Sequence, residues 1–477
     1  MKSCTLYRSM GLKEECGVFG IFDIDEASVL TTLGLHALQH RGQEGAGIVS
    51  YDGDTFHAVK KEGLVSDNFN NASTLDKLPG RRAIGHVRYS TTGDSKLANV
   101  QPLFANLSAG GFACAHNGNL TNTRELRRAL VNTGSIFQTT SDTEIILQLV
   151  ARSKKSKTID KIKDALSQIE GAYSLIIMTN KKLIGIKDPF GIRPLVLGKK
   201  NNAYVLASET CALDMIGANY VRDVENGEMV IITDSGIESI KLAPNHYERP
   251  CIFERIYFAR PDSIIDGQSV YTYRKNLGDQ LAREHHVVAD VVVPVPDSGA
   301  PAAIGYSQAS GIPFELGIIR NHYVGRTFIE PSQSIRQFGV KLKHSVNQSS
   351  IKNKRVILID DSIVRGTTAN KVVKMMFEAG AKEVHFGISS PPIKHPDFYG
   401  IDTPQYSELI AANHNIEEIT NIIGATSVFF LSLEGTYKAM GIEKRDAKNP
   451  QFTDHCFTGD YPINVSGILA QNHALTN

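Results

Sequence analysis

The chain has 477 residues, and its 51 Lys and Arg against 50 Asp and Glu leave a formal net charge of +1. That length suits two or three domains, and the balanced charge gives no global field to draw the chain to nucleic acid or an anionic membrane. Its apolar runs are too short to cross a bilayer, residues 1–15 lack the apolar core of a secretory signal, and six cysteines (4, 16, 114, 211, 251, 456) without a C-x-x-C pair make a poor disulfide framework. An enzyme of the reducing cytoplasm is expected.

In chain order, the first half reads as short, turn-bounded strands: "CGVFGIFD", "GAGIVSYDG", "AIGHVRYST", "FACAHNGNL", "YSLIIMTN", "KLIGIKD", "AYVLASE" and "EMVIITDSG". Helical patterns fall at 28–40, 122–132 and 142–153. Grouped strands with helices set apart predict an α+β layered domain over 16–245. From residue 246 onward the texture changes. Helix "YTYRKNLGDQLAREHH", strand "ADVVVPVPDSG", helix "APAAIGYSQAS", strand "FELGIIRN", strand "RVILIDDS", helix "TTANKVVKMMFEAG" and strand "EVHFGISS" succeed one another. Alternation with nearly continuous apolar strands predicts an α/β parallel sheet covered on both faces. The last 75 or so residues read as helices and an irregular tail.

Four segments of the first half ask for a common explanation: "QHRGQEGAG" with Arg41, "GHVRYSTTG" with Arg88, "AHNGNL" with Asn117-Gly118, and "TTSDTE" with Asp142. A free amino acid needs a guanidinium for its carboxylate and a carboxylate for its ammonium group. Arg88 and Asp142 are the natural pair, with Arg41 beside them. Asn117 Nδ2 and the Gly118 N–H suit an oxyanion hole. Taken singly, Asn-Gly is a hairpin turn and the charges are surface charges; together with the Cys16-Gly17 strand start, coincidence fits poorly.

In the second half, "VILIDDSIVRGTT" ends an apolar strand in Asp360 and Asp361 and runs through Ser362, Arg365, Gly366, Thr367 and Thr368 into a helix. Backbone N–H groups, hydroxyls and the positive end of the helix dipole suit a phosphate monoester. The paired carboxylates suit ribose hydroxyls or Mg2+.

This stretch resembles the phosphoribosyl pyrophosphate (PRPP) motif of type I phosphoribosyltransferases. The resemblance implies that Asp360 and Asp361 contact the ribose hydroxyls and that the following loop holds the 5′-phosphate. It also places Ser298 of "VPVPDSGAP" with both aspartates around Mg2+. Residues 320–337 resemble the loop that closes over PRPP and excludes water. Relatives usually show K-N-R-Y where this chain has R-N-H-Y, so no role is assigned to His322; Lys341 and Lys343 read equally as solvated charges. The first-half set resembles the class II glutamine amidotransferases, which implies an N-terminal-nucleophile hydrolase sandwich (αββα). Together the halves resemble the glutamine PRPP amidotransferase family, covering about residues 11 to 460.

That resemblance implies glutamine hydrolysis by Cys16, with ammonia delivered to C1 of PRPP, as the first committed step of purine synthesis. The α-amine of Cys16 would serve as base, which requires removal of residues 1–15 as a propeptide. His40, His86 and His116 are then structural, and Cys114 and Cys211 read as small buried hydrophobes. The family implies a homotetramer and purine nucleotides as feedback inhibitors. Relatives with a similar propeptide often carry an iron–sulfur cluster on four cysteines. Cys251 and Cys456 match two of these, while Asp397 and Thr453 stand at the other two. Two thiolates do not hold a cubane cluster, and only ligation by Asp397 or His455 would rescue one. The alternatives are a PRPP-sensing regulator and a glutaminase whose phosphoribosyltransferase-like half is not catalytic.

Overall fold

The structure is a computed structural model that describes residues 16–89, 97–242, 247–320, 344–401 and 405–465. Residues 1–15, read above as a propeptide, His322, Lys341, Lys343 and all but Arg320 of the 320–337 loop lie outside the described residues. The first half is built from β1 (Gly17–Phe22), β2 (Gly45–Tyr51), β3 (Phe56–Glu62), β4 (Arg82–Arg88), β5 (Leu103–Leu107), β6 (Gly110–Leu120), β7 (Gly171–Thr179), β8 (Leu183–Lys187), β9 (Val196–Lys200), β10 (Ala203–Ala207), β11 (Asn219–Asp223), β12 (Glu228–Thr233) and β13 (Gly236–Lys241). They form one sheet of order β11-β9-β10-β1-β4-β2-β3 and a second of order β13-β12-β8-β7-β6-β5, both antiparallel throughout.

The period of two along each strand makes the layers. On β1, Phe19 and Ile21 pack into the cluster that holds the Ala27–Ala37 and Thr210–Ile216 helices. Val18 and Phe22 face the other way, into a cluster with Ala113 and Ala115 of β6 and Ile176 and Met178 of β7. On the far side of the second sheet, Phe112 and Cys114 pack against the Thr143–Arg152 and Thr158–Leu166 helices. The result is helix, sheet, sheet, helix, the expected sandwich. Helix Ala27–Ala37 sits so close that a Cβ on Gly34 would lie 2.4 Å from the Phe19 ring. Fully burying one such aromatic contributes about 1.5–3 kcal/mol, so a larger residue at position 34 would cost much of that contact.

The second half adds two hairpin strands, β14 (Ile264–Ile265) and β15 (Gln268–Ser269), then β16 (Val291–Pro294), β17 (Ile318–Arg320), β18 (His344–Val346), β19 (Arg355–Asp360), β20 (Glu383–Ile388) and β21 (Ser427–Phe430). A parallel sheet of order β16-β19-β20-β21 forms its centre. Two expectations are corrected here. "FELGIIRN" contributes β17 to a separate two-stranded antiparallel ribbon with β18 rather than a strand of the parallel sheet. The fourth parallel strand is "SVFF" of β21, in the segment read as helices and tail.

The halves share one core. Ala172 and Ile192 of the first half belong to the same buried cluster as Ile252, Phe253 and Tyr399 of the second. Polar contacts reinforce it: Asn119 Nδ2 donates to the Phe398 carbonyl at 2.9 Å and Arg193 Nε to the Tyr399 carbonyl at 3.0 Å.

Candidate active sites

Cys16 stands just ahead of β1, on the face that Val18 turns toward the second sheet. It is buried, and its Sγ donates to the Tyr89 carbonyl at 3.4 Å. Burial pushes the thiol up to about 11, with the charges of Arg88 and Arg41 pulling it down and that of Asp142 pushing it up. Such a thiol is almost wholly protonated at neutral pH, so attack needs a base beside it.

Alternation along β6 places Asn117 on the face of Ala113 and Ala115, turned toward β1. Its side chain is completely buried, and neither amide atom has a hydrogen-bond partner among the described residues. A buried amide left unpaired costs about 1–3 kcal/mol, which marks it as reserved for something else. Gly118 follows with φ +137°, and a Cβ there would lie 2.1 Å from the Ala172 carbonyl oxygen, so only glycine keeps this conformation. The Leu120 N–H donates to Asp142 Oδ2 at 3.0 Å, and His116 Nδ1 lies 3.6 Å from the same oxygen. Burial pushes the Asp142 carboxyl up, but the His116 ring and these hydrogen bonds outweigh it and hold it below the usual carboxylate range. Asp142 is thus an anion beside Asn117-Gly118, which lies within β6, paired with Ser174 and Tyr173 of β7, rather than in a turn. Arg88, buried at the end of β4, acts on the same thiol.

Arg41 differs from the expectation that it binds glutamine. Its Nη1 donates to Glu209 Oε1 at 2.6 Å and Glu254 Oε2 at 3.0 Å, its Nη2 to Glu254 Oε1 at 2.7 Å, and its Nε to the Cys16 carbonyl at 3.1 Å. A guanidinium committed to two protein carboxylates and the backbone of Cys16 is placed to hold that residue. The histidines near the site are held by other protein groups. His40 meets the Ala37 carbonyl and Glu209, His86 the His116 carbonyl, and His116 Thr143 and the Ala172 carbonyl. Cys114 and Cys211 are buried in apolar clusters.

In the second half, Asp360 ends β19 at the carboxyl edge of the parallel sheet, where ligands of α/β folds sit. A pocket of about 220 Å³ opens there, lined by Ser298, Asp360, Asp361, Ser362, Arg365, Gly366 and Thr368, with Tyr257 as a wall. Burial first, and then their mutual repulsion, push the Asp360 carboxyl well above its usual range; burial also raises Asp361, against the hydrogen bonds of Ser298 and Ser362 and the charge of Arg274. Gly366, at φ +75°, leads into the helix Thr367–Glu378, whose first N–H groups stand beside the pocket, where a phosphate could accept from them. Thr367 is not among the lining residues, and Arg365 Nε is held by Glu408 Oε1 at 3.1 Å.

The four positions matched to cluster ligands do not suit iron. Thr453 Oγ1 donates to the Arg249 carbonyl. Asp397 Oδ1 accepts the N–H groups of Tyr399 and Ile401, and Oδ2 lies 2.9 Å from His455 Nε2. Among the described residues no group of three or more His, Cys, Asp or Glu side chains could hold a metal ion.

Residues 86–215 match the glutamine amidotransferase domain family and residues 275–391 the phosphoribosyl transferase domain family. The amidophosphoribosyltransferase of Rhizobium etli is 59% identical over 460 residues, covering 95% of this chain and 93% of that protein. The chain belongs to the amidophosphoribosyltransferase family. The Bacillus subtilis relative is 54% identical over 95% of both chains. A solved structure of the glutamine PRPP amidotransferase of B. subtilis, in complex with ADP and GMP, is 52% identical, covers 94% of this chain and 98% of its own, and superposes with a TM-score of 0.89. Family members are glutamine-dependent pentosyltransferases, and this chain makes 5-phosphoribosylamine from glutamine and PRPP in purine biosynthesis.

Sequence reasoning missed Glu209, Glu254 and Tyr257. A signal for Glu254 was present: "CIFERIYFA" sets a Glu-Arg pair inside an apolar run, and a buried charge demands partners.

Proposed function

We propose that Cys16 is the glutamine nucleophile and that its own α-amine is the base that activates it. The observation that carries this reading is the unpartnered Asn117 amide, buried on the sheet facing the Cys16 thiol. In the first step the amine takes the Sγ proton while sulfur attacks the side-chain amide carbon. Asn117 Nδ2 and the Gly118 N–H receive the oxyanion. The amine returns its proton to the leaving nitrogen, ammonia departs, and water cleaves the thioester to glutamate. Arg88 and Asp142 bind the glutamine α-carboxylate and α-ammonium, and Arg41 positions Cys16.

An amine at Cys16 requires that residues 1–15 be removed, leaving domains at 16–245 and 246–477. Intact-mass measurement should find a chain that begins at Cys16; active protein beginning at Met1 would overturn the assignment of the base.

Ammonia then displaces pyrophosphate from C1 of PRPP. Asp360 and Asp361 take the ribose hydroxyls, and Ser362, Arg365, Gly366, Thr367 and Thr368 surround the 5′-phosphate. Mg2+ fits this site: the half-buried Asp360 and the buried Asp361 repel one another, and Ser298 bonds to the second. Ser298, Asp360 and Asp361 would hold the ion together with substrate oxygens, and when bound it would neutralise the departing pyrophosphate. An iron–sulfur cluster has no place in this reading. Gly400 of the second half packs against Gly118, where a Cβ on the former would lie 3.2 Å from the Cα of the latter, so the proposed oxyanion site borders the half to which ammonia must pass. Family membership supports a cytoplasmic homotetramer, and the ADP and GMP bound to the B. subtilis relative support purine nucleotides as regulators. No described helix is long and apolar enough to cross a membrane. The test of the whole reading is Cys16→Ala, which should lose synthesis from glutamine and keep synthesis from ammonia; equal loss of both would make Cys16 structural.

A further inference from the structure

Arg41 reaches Cys16 from one side and the second half of the molecule from the other. Its partner there, Glu254, is buried, and both of its oxygens are used. Oε1 accepts from Arg41 Nη2 at 2.7 Å and Arg193 Nη1 at 3.4 Å, and Oε2 from Arg41 Nη1 at 3.0 Å. A buried Arg–Glu–Arg group is poor value for stability, because desolvation cancels much of its Coulomb gain. What it does supply is fixed geometry, since bidentate guanidinium–carboxylate pairs hold both orientation and distance.

The location of Glu254 gives that geometry a use. It opens a single π-helical turn, Glu254–Phe258, a conformation found mostly at functional sites. Three residues further on, Tyr257 forms a wall of the pocket that contains Asp360 and Asp361. Arg274 clamps the turn, donating from Nε to the Arg255 carbonyl at 3.0 Å and from Nη2 to the Ala259 carbonyl at 2.6 Å, while its charge acts on Asp361. One turn therefore holds the grip on Arg41 at its start and the pocket wall near its end.

We propose that Glu254 is a positioning residue for the glutamine half-reaction: acting from the second half through Arg41, it fixes the Cys16 backbone so that amine and thiol share the glutamine amide. The inference rests on Cys16 being the nucleophile. It also makes the second half part of the first site's machinery.

Glu254→Gln keeps the shape and removes the charge. Its kcat for glutamine-dependent synthesis should fall about tenfold or more with glutamine KM within about twofold, because the interaction acts on the reacting residue and not on substrate binding. Ammonia-dependent synthesis, measured on the same preparation, should stay within about twofold of the parent. Because the effect passes through Arg41, the Arg41→Lys, Glu254→Gln double variant should lose no more than Arg41→Lys alone. Glu254→Asp should recover most of the lost kcat, and it carries the same comparison if the glutamine variant does not fold. An unchanged kcat, an equal fall with both nitrogen sources, a loss confined to KM, or additive losses in the double variant would each overturn the proposal. Cys16→Ala run alongside separates the two claims. If it still uses glutamine, the nucleophile is wrong; if it does not while Glu254→Gln works normally, only the role of Glu254 is wrong.

Discussion

The two sites solve opposite problems. The thiol site lies buried between two sheets, with an amide that has no partner among the described residues and a thiol that burial keeps protonated. The pocket at Asp360 and Asp361 lies at the open edge of a parallel sheet, where a helix start and two repelling carboxylates face the ligand. On the proposed mechanism the first must keep released ammonia from bulk solvent while admitting the one water that cleaves the thioester. The second needs a large, highly charged substrate to enter and leave. The buried site is built from residues brought together by tertiary folding; the open pocket is built mostly from one continuous stretch, with Ser298 and Tyr257 added from elsewhere.

That contrast can be broken by substitution. Cys16→Ala should show the largest effect, a fall on the order of 10⁴-fold in glutamine-dependent synthesis, against a change within about twofold when ammonia is supplied; initial rates with the two nitrogen sources measure the split. Asn117→Ala should lower kcat for glutamine by about 10²–10³-fold with little change in KM, as loss of one oxyanion donor does. Asp361→Asn should lower synthesis about 10- to 100-fold from either nitrogen source, since it removes a charged hydrogen-bond partner of the substrate. A deficit confined to glutamine would show that the two sites are not divided as described.

The smallest effect concerns His86, which lies at the closed site without a chemical role. Burial pushes its ring down to about 3. The unfolded chain, with an ordinary value near ~6.5, binds a proton that the folded chain refuses. Stability from this residue is therefore full above that value and falls with acidification toward 3, by about 1.4 kcal/mol per pH unit. Urea midpoints measured between these limits should show the slope, and His86→Gln should flatten it.

The same contrast explains what the sequence showed. The proposed PRPP stretch is local, so "VILIDDSIVRGTT" shows strand, carboxylates and the turn into the next helix together. The proposed glutamine site is legible only because Arg88, Asn117-Gly118 and Asp142 are each unusual in their own segments. Arg41 reads as a substrate ligand in the sequence, whereas the structure pairs it with Glu209 and Glu254, which no local pattern announces. The strands missed in the first half include all four sheet edges, β3, β5, β11 and β13. Their half-exposed faces carry Lys, Glu and Asn in place of a clean apolar alternation. β21 was missed because four residues of "SVFF" are too short to show a period.

The most direct test of the account is where the nitrogen goes. Glutamine labelled with 15N in its side-chain amide should be supplied with PRPP, Mg2+ and an excess of unlabelled ammonium near neutral pH. If ammonia passes from Cys16 to C1 of PRPP without leaving the protein, the phosphoribosylamine formed carries the 15N label nearly undiluted. Label diluted to the level of the surrounding ammonium would contradict the account and leave two sites that merely share a chain.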